Sequence, residues 1–333
     1  MQVGLPSLGL GAAAIGNLYR PVADADAIDT VAAALESGIA YIDTAPHYGF
    51  GLSESRVGAA LRALDPDGKA VISTKVGRLL EPIAEGAAIR HGFAEAAPYE
   101  PVFDYGYDAV MRSFEQSRQR LGRRHVDVLL AHDLGRATHG AAHEHHYRTF
   151  FEGGYRAMRD LRDAGEVGAI GLGVNEWQIC EEAMRDGEFD LFLLAGRYTL
   201  LEQSALDSFF PACAARGIEI IIGGPYNSGI LAEGTAGPGP YHFDYEPAPE
   251  SVIERVRRIE AVCAAFTVPL AAAALQFPLA HPQVVSVIPG MAGRAQVAAT
   301  LRLMRTEIPA AFWTALRREG LLHPDAPTPK GRS

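Results

Sequence analysis

Gly38-Ile39-Ala40-Tyr41-Ile42-Asp43-Thr44-Ala45-Pro46-His47-Tyr48-Gly49, with Ser53-Glu54-Ser55-Arg56 just beyond, holds one full structural period of this chain. Upstream, Ile28, Val31, Ala32 and Leu35 recur at helical spacing over 25–37, and Gly38 falls where a left-handed residue ends a helix. Residues 39–42 are a short apolar run of the kind that forms a buried strand. Pro46 and Gly49 interrupt the pattern, and Ser53 is placed to cap a second helix over 53–64. The period is strand, loop, helix.

The same period repeats outward in both directions. Strands are expected over 8–11, 71–74, 126–130, 169–173, 191–194, 218–222 and 284–288. Helices are expected over 107–121, 153–164, 178–185, 205–215 and 295–304, with a long crossover over 251–280. Eight strand–helix units predict an α/β fold, a single (β/α)8 barrel of the TIM type over 1–333, with 320–333 as a loose tail. An open doubly wound sheet would carry a dinucleotide-binding glycine fingerprint. The nearest approach, Gly9-Leu10-Gly11-Ala12-Ala13-Ala14, lacks its third glycine. Two long segments, 77–104 and 132–152, leave the carboxyl ends of the third and fourth strands. Barrel enzymes keep their sites on that face, so these are expected to be lids or substrate walls.

Composition narrows the function classes. Apolar residues make up 48% and charged residues 21%, ordinary globular usage. The formal charge is −10 and the 30 basic residues are scattered, so no stripe exists to displace counterions from a nucleic acid. The most apolar stretch, 268–280, is interrupted by Pro269, Gln276 and Pro278 and falls short of the ~20 residues of a membrane span. Residues 1–5 lack the pattern of a secretory signal. Cys180, Cys213 and Cys263 are far apart and without metal spacing, which suits reduced thiols in the cytoplasm. Small-molecule chemistry remains, with no nucleic-acid or membrane partner; oligomeric state is left open.

The last residue of each barrel strand points into one shared bowl. Asp43, Lys75 and His132 stand at three such ends, and Tyr48 lies five residues past Asp43. Singly, each has a structural explanation: a turn cap, a surface lysine, a core histidine, a packing tyrosine. Together they form a candidate catalytic group.

Three segments now carry a resemblance. The 38–49 run with Ser53-Glu54 and Val57-Gly58, Ser73-Thr74-Lys75-Val76-Gly77, and Leu129-Leu130-Ala131-His132-Asp133 resemble the signature segments of the aldo-keto reductase family. Gly171-Leu172-Gly173-Val174-Asn175 resembles its nicotinamide-amide segment. The resemblance implies hydride exchange with NAD(P), with Tyr48 passing a proton to or from the substrate oxygen and His132 orienting that oxygen. Lys75 would acidify Tyr48, and Asp43 would hold Lys75 charged and oriented. Lowering a phenol pKa by about 2 units takes roughly 2.7 kcal/mol, within reach of one nearby ammonium.

The family's cofactor positions map onto Asp43, Asn175, Gly223, Pro225, Tyr226, Gly290, Arg294 and Gln296. Several depart from the pattern. Val174 and Ala195 replace a hydroxyl residue and a glutamine, leaving Asn175 as the carboxamide ligand. Gly223 stands where many members stack a tyrosine, with Tyr226 as substitute. Gly290 and Gln296 replace the basic residues that hold an adenosine 2′-phosphate, so Arg294 is the one cation there. NAD is therefore the expected cofactor, with NADP use also allowed and no metal.

Further stretches, among them Pro101-Val102-Phe103-Asp104-Tyr105 and Gly223-Gly224-Pro225-Tyr226-Asn227, resemble the aldose 1-dehydrogenase and pyridoxal dehydrogenase branches. This implies oxidation of the anomeric carbon of an aldose such as L-fucose to a lactone, with His47, Tyr48, His132 and Trp177 around the substrate. A pyridoxal 4-dehydrogenase or a general aldehyde/ketone reductase is the alternative within the family. A Schiff-base lyase acting through Lys75 and a cofactor-binding regulatory subunit are the alternatives outside that chemistry. His139, His143, His145 and His146 cluster in the second long segment and are read as a polar lid.

Overall fold

The computed structural model describes residues 4–84 and 86–330. Among them, eight parallel strands form one sheet in sequence order: β1 (Gly9–Gly11), β2 (Tyr41–Asp43), β3 (Val71–Val76), β4 (Val126–His132), β5 (Val167–Val174), β6 (Leu191–Ala195), β7 (Glu219–Gly223) and β8 (Val284–Ile288). Parallel bridges Leu8↔Val287 and Gly11↔Gly290 join the last strand to the first and close the sheet into a barrel. The fold is the (β/α)8 barrel that the sequence predicts.

Alternation along the strands sorts the core into two layers. Tyr41, Val128, Leu130, Ala169, Leu191, Leu193, Ile221 and Ile288 form the cluster inside the cylinder. Their neighbours Ile42, Leu129, Ile170, Leu172, Phe192, Leu194, Ile220 and Ile222 belong to the outer cluster that packs on the helices. Gly9 is required by this packing, because a Cβ there would sit 2.6 Å from the Tyr41 ring.

The outer layer contains α1 (Asp24–Glu36), α2 (Leu52–Leu64), α3 (Tyr107–Leu121), α4 (Tyr155–Asp163), α5 (Gln178–Asp186), α6 (Phe209–Arg216), α7 (Glu250–Phe266), α8 (Leu270–Gln276), α9 (Arg294–Arg305) and α10 (Ala310–Arg318). Two expected helices differ, each because of a proline. The 205–215 segment becomes a short 3-10 turn at Ser204–Leu206 and then α6, which puts Pro211 in a first turn where its missing N–H has no helical partner. The 251–280 crossover breaks at Pro269 into α7 and α8, set 104° apart. Among the described residues, no single helix is long and apolar enough to cross a membrane.

Helix α10 was not expected, and it buries Phe312, Trp313 and Leu316. The chain then stays packed. Leu321, Leu322 and Ala326 are buried, and Arg317 donates to the Ala326 carbonyl at 2.6 Å. The loose tail expected from residue 320 is thus corrected as far as Ala326; residues 331–333 lie outside the described residues. The first long segment is built of antiparallel hairpins, pairing Arg78–Pro82 with Tyr99–Phe103 and Ile89–Arg90 with Phe93–Ala94. The second carries short helices Arg136–His139 and His143–Thr149 and a π-turn over Phe150–Gly154.

Candidate active site

Strand register brings the polar strand ends together. Asp43 lies opposite Ser73, Lys75 opposite Leu130, and His132 opposite Gly173. Lys75 is 1% exposed, and its ammonium donates to Asp43 Oδ1 (2.9 Å), Asp43 Oδ2 (2.8 Å) and the Thr44 carbonyl (2.8 Å). Ser73 Oγ donates a further 2.7 Å bond to Asp43. Every proton of the ammonium is engaged, so the charge is fixed in place.

Tyr48 lies directly over this pair, its ring centroid 4.7 Å from Lys75 Nζ. His132 meets the Tyr48 ring edge to face, with centroids 6.1 Å apart. Tyr48, Lys75 and His132 line a cavity of about 410 Å³ at the carboxyl end of the barrel, together with His47, Arg78, Asp133 and Asn175. A larger open groove of about 1060 Å³ lies at the opposite rim among His125, Arg162 and Arg216. It is remote from these groups, so the smaller cavity is the candidate site.

Arg78 and Asp133 form a buried ion pair on the cavity wall. Arg78 Nη1 also donates to His47 Nε2 at 3.1 Å, and Asn175 Nδ2 donates to Asp133 Oδ1 at 3.1 Å. His132 Nε2 lies 3.5 Å from Asp133 Oδ2. Tyr105 anchors the histidine from behind, donating to the His132 carbonyl at 2.6 Å.

The electrostatics follow from enclosure. Burial, then the cations of Arg78 and Lys75, push His132 well below its ordinary value, so the imidazole is neutral. Burial and Arg78 likewise lower His47 to about 2. Burial raises Asp133, with Arg78 and Lys75 opposing. Tyr48 is held well above the usual phenol range by burial, with Asp43 and Asp133 adding and Arg78 opposing. The expected acidification of Tyr48 by Lys75 is not among these causes; in the protein alone burial sets the direction. Asp43 matches the ammonium charge at bonding distance, and little of its field is left for the phenol.

This has a measurable consequence. A neutral phenol donates protons readily, but accepts one only in its phenolate form, whose fraction grows tenfold per pH unit below the pKa. Oxidative kcat/KM should climb steadily from about pH 7 to about pH 10 without levelling. A plateau at neutral pH would mean that the phenol is acidified after all.

Residues 7–318 match the model of the Aldo/keto reductase family. The chain belongs to that family. It is 44% identical over 326 residues to the pyridoxal 4-dehydrogenase of Microbacterium luteolum, covering 95% of this chain and 94% of the other. It is 37% identical over 329 residues to the D-threo-aldose 1-dehydrogenase of a Pseudomonas species, covering 98% and 96%. The holo form of an aldo-keto reductase from Bacillus halodurans has the same fold, at TM-score 0.72 and 21% identity over 97% of this chain and 96% of that one. The protein is an oxidoreductase of a family that uses NAD(P)H on small aldehyde or sugar substrates.

The cavity fits a nicotinamide. Gly173 and Ala195 add little bulk to a lining otherwise apolar at Val174 and Leu193, and Asn175, whose Nδ2 is taken by Asp133, has its amide oxygen as an acceptor for a carboxamide. Of the expected site residues, His47, Tyr48, Lys75, His132 and Asn175 share the cavity wall, with Asp43 beneath. Others lie elsewhere. Trp177 packs at 6.4 Å from Phe209 and donates to Ser204. Gly223 ends β7 beside Ala195, Gly290 bridges Gly11, and Tyr226 beyond Pro225 encloses its hydroxyl without a partner. Gln296 Oε1 accepts from the Ala292 amide at 2.7 Å. Arg294 donates to Asp29 (2.7 and 2.8 Å) and Glu36 (2.7 Å) on α1.

Of the histidines in the second long segment, His143 is buried with Nδ1 3.2 Å from the Leu134 carbonyl, while His139 and His146 place their rings 4.2 Å apart. Sequence reasoning missed Arg78, Asp133, His91, Phe93, Tyr19 and Tyr245 on the cavity wall. Only Asp133, adjoining His132, had a signal that could have found it.

Proposed function

We propose that this enzyme oxidises the ring form of an aldose such as L-fucose at its anomeric carbon, with NAD as hydride acceptor, and releases the lactone. The observation that carries the reading is the convergence of Tyr48 and His132 on one cavity over the Lys75–Asp43 pair. His132, neutral, holds the anomeric oxygen. Tyr48 takes the hydroxyl proton, the carbon–hydrogen bond breaks with its electron pair, and the carbon–oxygen double bond forms. When bound, the dinucleotide supplies the hydride acceptor and the protein supplies position and field.

The hemiacetal form follows from chemistry. A free aldehyde carbon has no hydroxyl to deprotonate, and no thiol lines the cavity to add to it. Cys180, Cys213 and Cys263 are buried elsewhere. The substrate must therefore arrive as a tetrahedral carbinol, which an aldose ring already is. Pyridoxal is the second reading, favoured by the 44% identical relative, and its neighbouring hydroxymethyl group can close the same kind of ring.

The Schiff-base alternative loses support, because Lys75 is enclosed and gives all three protons to acceptors, leaving no free amine to attack a carbonyl. A regulatory subunit has no need of the four catalytic groups. Three free, buried thiols suit a reducing compartment, and the cytoplasm is the proposed location.

NAD is favoured over NADP because Arg294 is already paired with two carboxylates. Gln296 and the Thr30 hydroxyl occupy the neighbouring amides of Ala292 and Gly293. An adenosine 2′-phosphate there would meet Asp29 and Glu36, with Arg294 already paired to both. Reduced-nicotinamide absorbance should rise with NAD on L-fucose, D-arabinose or L-galactose, at least tenfold faster than with NADP. Turnover of pyridoxal alone would move the assignment to the second reading, and binding of NAD without turnover of any of these would favour the regulatory one.

A further inference from the structure

The Arg78–Asp133 pair is unexplained by the reaction chemistry. Neither residue touches Tyr48 through a hydrogen bond, and neither is needed to charge Lys75. Yet little of either side chain is exposed, 13% and 7%, and both face the cavity. A buried ion pair contributes little to folding relative to well-packed apolar groups of similar size. Asp133 also holds a left-handed backbone, φ 50°, which is uncommon for a residue with a side chain. Gly77, φ 100° and packed against the Tyr105 ring, turns the chain so that Arg78 points inward at the root of its hairpin. Phe103 then supports the guanidinium from the far side at 4.6 Å.

The pair also has the right polarity for one kind of ligand. Asp133 has one carboxylate oxygen on Asn175 and the other on Arg78, each with lone-pair capacity remaining. Arg78 is a fork of donors, of which one reaches Asp133 and one His47. An acceptor and a donor side by side match two neighbouring hydroxyls. The Asp133 carboxylate lies 3.5 Å from His132 Nε2, the atom that would hold the anomeric oxygen. Two protein atoms that close together can bond oxygens carried on adjacent carbons.

Resting on the aldose reading above, we infer that Arg78 and Asp133 are specificity-determining residues that read the hydroxyl on the carbon next to the reacting one, and its neighbour. Asp133 accepts the O–H of the 2-hydroxyl, and Arg78 donates to the next oxygen along the ring. The preferred substrate class is an aldose with a free vicinal diol at carbons 2 and 3. A site built to bond a hydroxyl discriminates strongly against the analogue that lacks it.

The test compares kcat/KM for D-arabinose with that for its 2-deoxy counterpart, 2-deoxy-D-ribose, and for L-fucose with 2-deoxy-L-fucose. In the unaltered enzyme, the hydroxylated sugar should be favoured about 100-fold or more. In the double variant Arg78→Met/Asp133→Leu, which removes both charges together, that ratio should fall below about tenfold, through a higher KM for the hydroxylated sugar. Arg78→Lys keeps the charge opposite Asp133 but loses the fork, and should give an intermediate ratio. An unchanged ratio in the double variant, or in Arg78→Lys should the double variant not fold, overturns the inference, as does an unaltered enzyme indifferent to the 2-hydroxyl. If the unaltered enzyme oxidises no aldose at all, the failure belongs to the aldose reading itself and shows before any variant is made.

Discussion

Tyr48→Phe should lower turnover by about 10³-fold, within the 10²–10⁴ range of a positioned acid–base group, while NAD affinity changes less than about twofold. The substitution removes a single oxygen. The ring keeps its place over the Lys75 ammonium and beside Phe93, 6.2 Å away, so the cavity retains its shape. Only the route for the substrate proton is lost. Fluorescence titration of the dinucleotide and single-turnover kinetics separate the two quantities, and a loss of turnover under tenfold would remove Tyr48 from the mechanism.

Lys75→Met should be the most damaging substitution for the fold near the site. It leaves the Asp43 carboxylate 2% exposed in the barrel with Ser73 as its remaining hydrogen-bond donor. Stranding one member of a buried pair costs about 3–5 kcal/mol, whereas removing both often costs little. The single variant should therefore melt well below the unaltered enzyme, and Asp43→Leu/Lys75→Met should recover most of that loss. Both should be nearly inactive, because Lys75, which packs under the Tyr48 ring and lines the cavity, is gone. A single variant as stable as the parent would show that the pair is not electrostatically coupled.

The barrel was legible in the sequence because strands buried on both faces repeat the same short apolar signal, each followed by a helical pattern. The four candidate catalytic residues were legible because three of them lie at the ends of such strands. What stayed hidden depends on shape. Arg78 begins a hairpin, and its inward direction comes from the turn at Gly77. Tyr19 and Tyr245 reach the cavity from left-handed backbone positions, φ 65° in each, that no residue type announces. Trp177 shows the opposite error: an aromatic side chain beside a site segment packs on a helix. The partners of Arg294 lie 265 and 258 residues away along the chain, beyond any local pattern. Helix α10 carried its periodicity in Phe312, Trp313 and Leu316, but it followed the eighth unit, where the repeat offers no template.

The seam between Leu8 and Val287 has a consequence for how the cylinder is made. During synthesis β1 has one flank satisfied by β2 and the other bare until β8 has emerged. Ring closure is thus among the most sequence-distant contacts in the molecule, and such contacts form slowly. A product terminated ahead of β8 would present two naked backbone rims, each a template for aggregation with its copies.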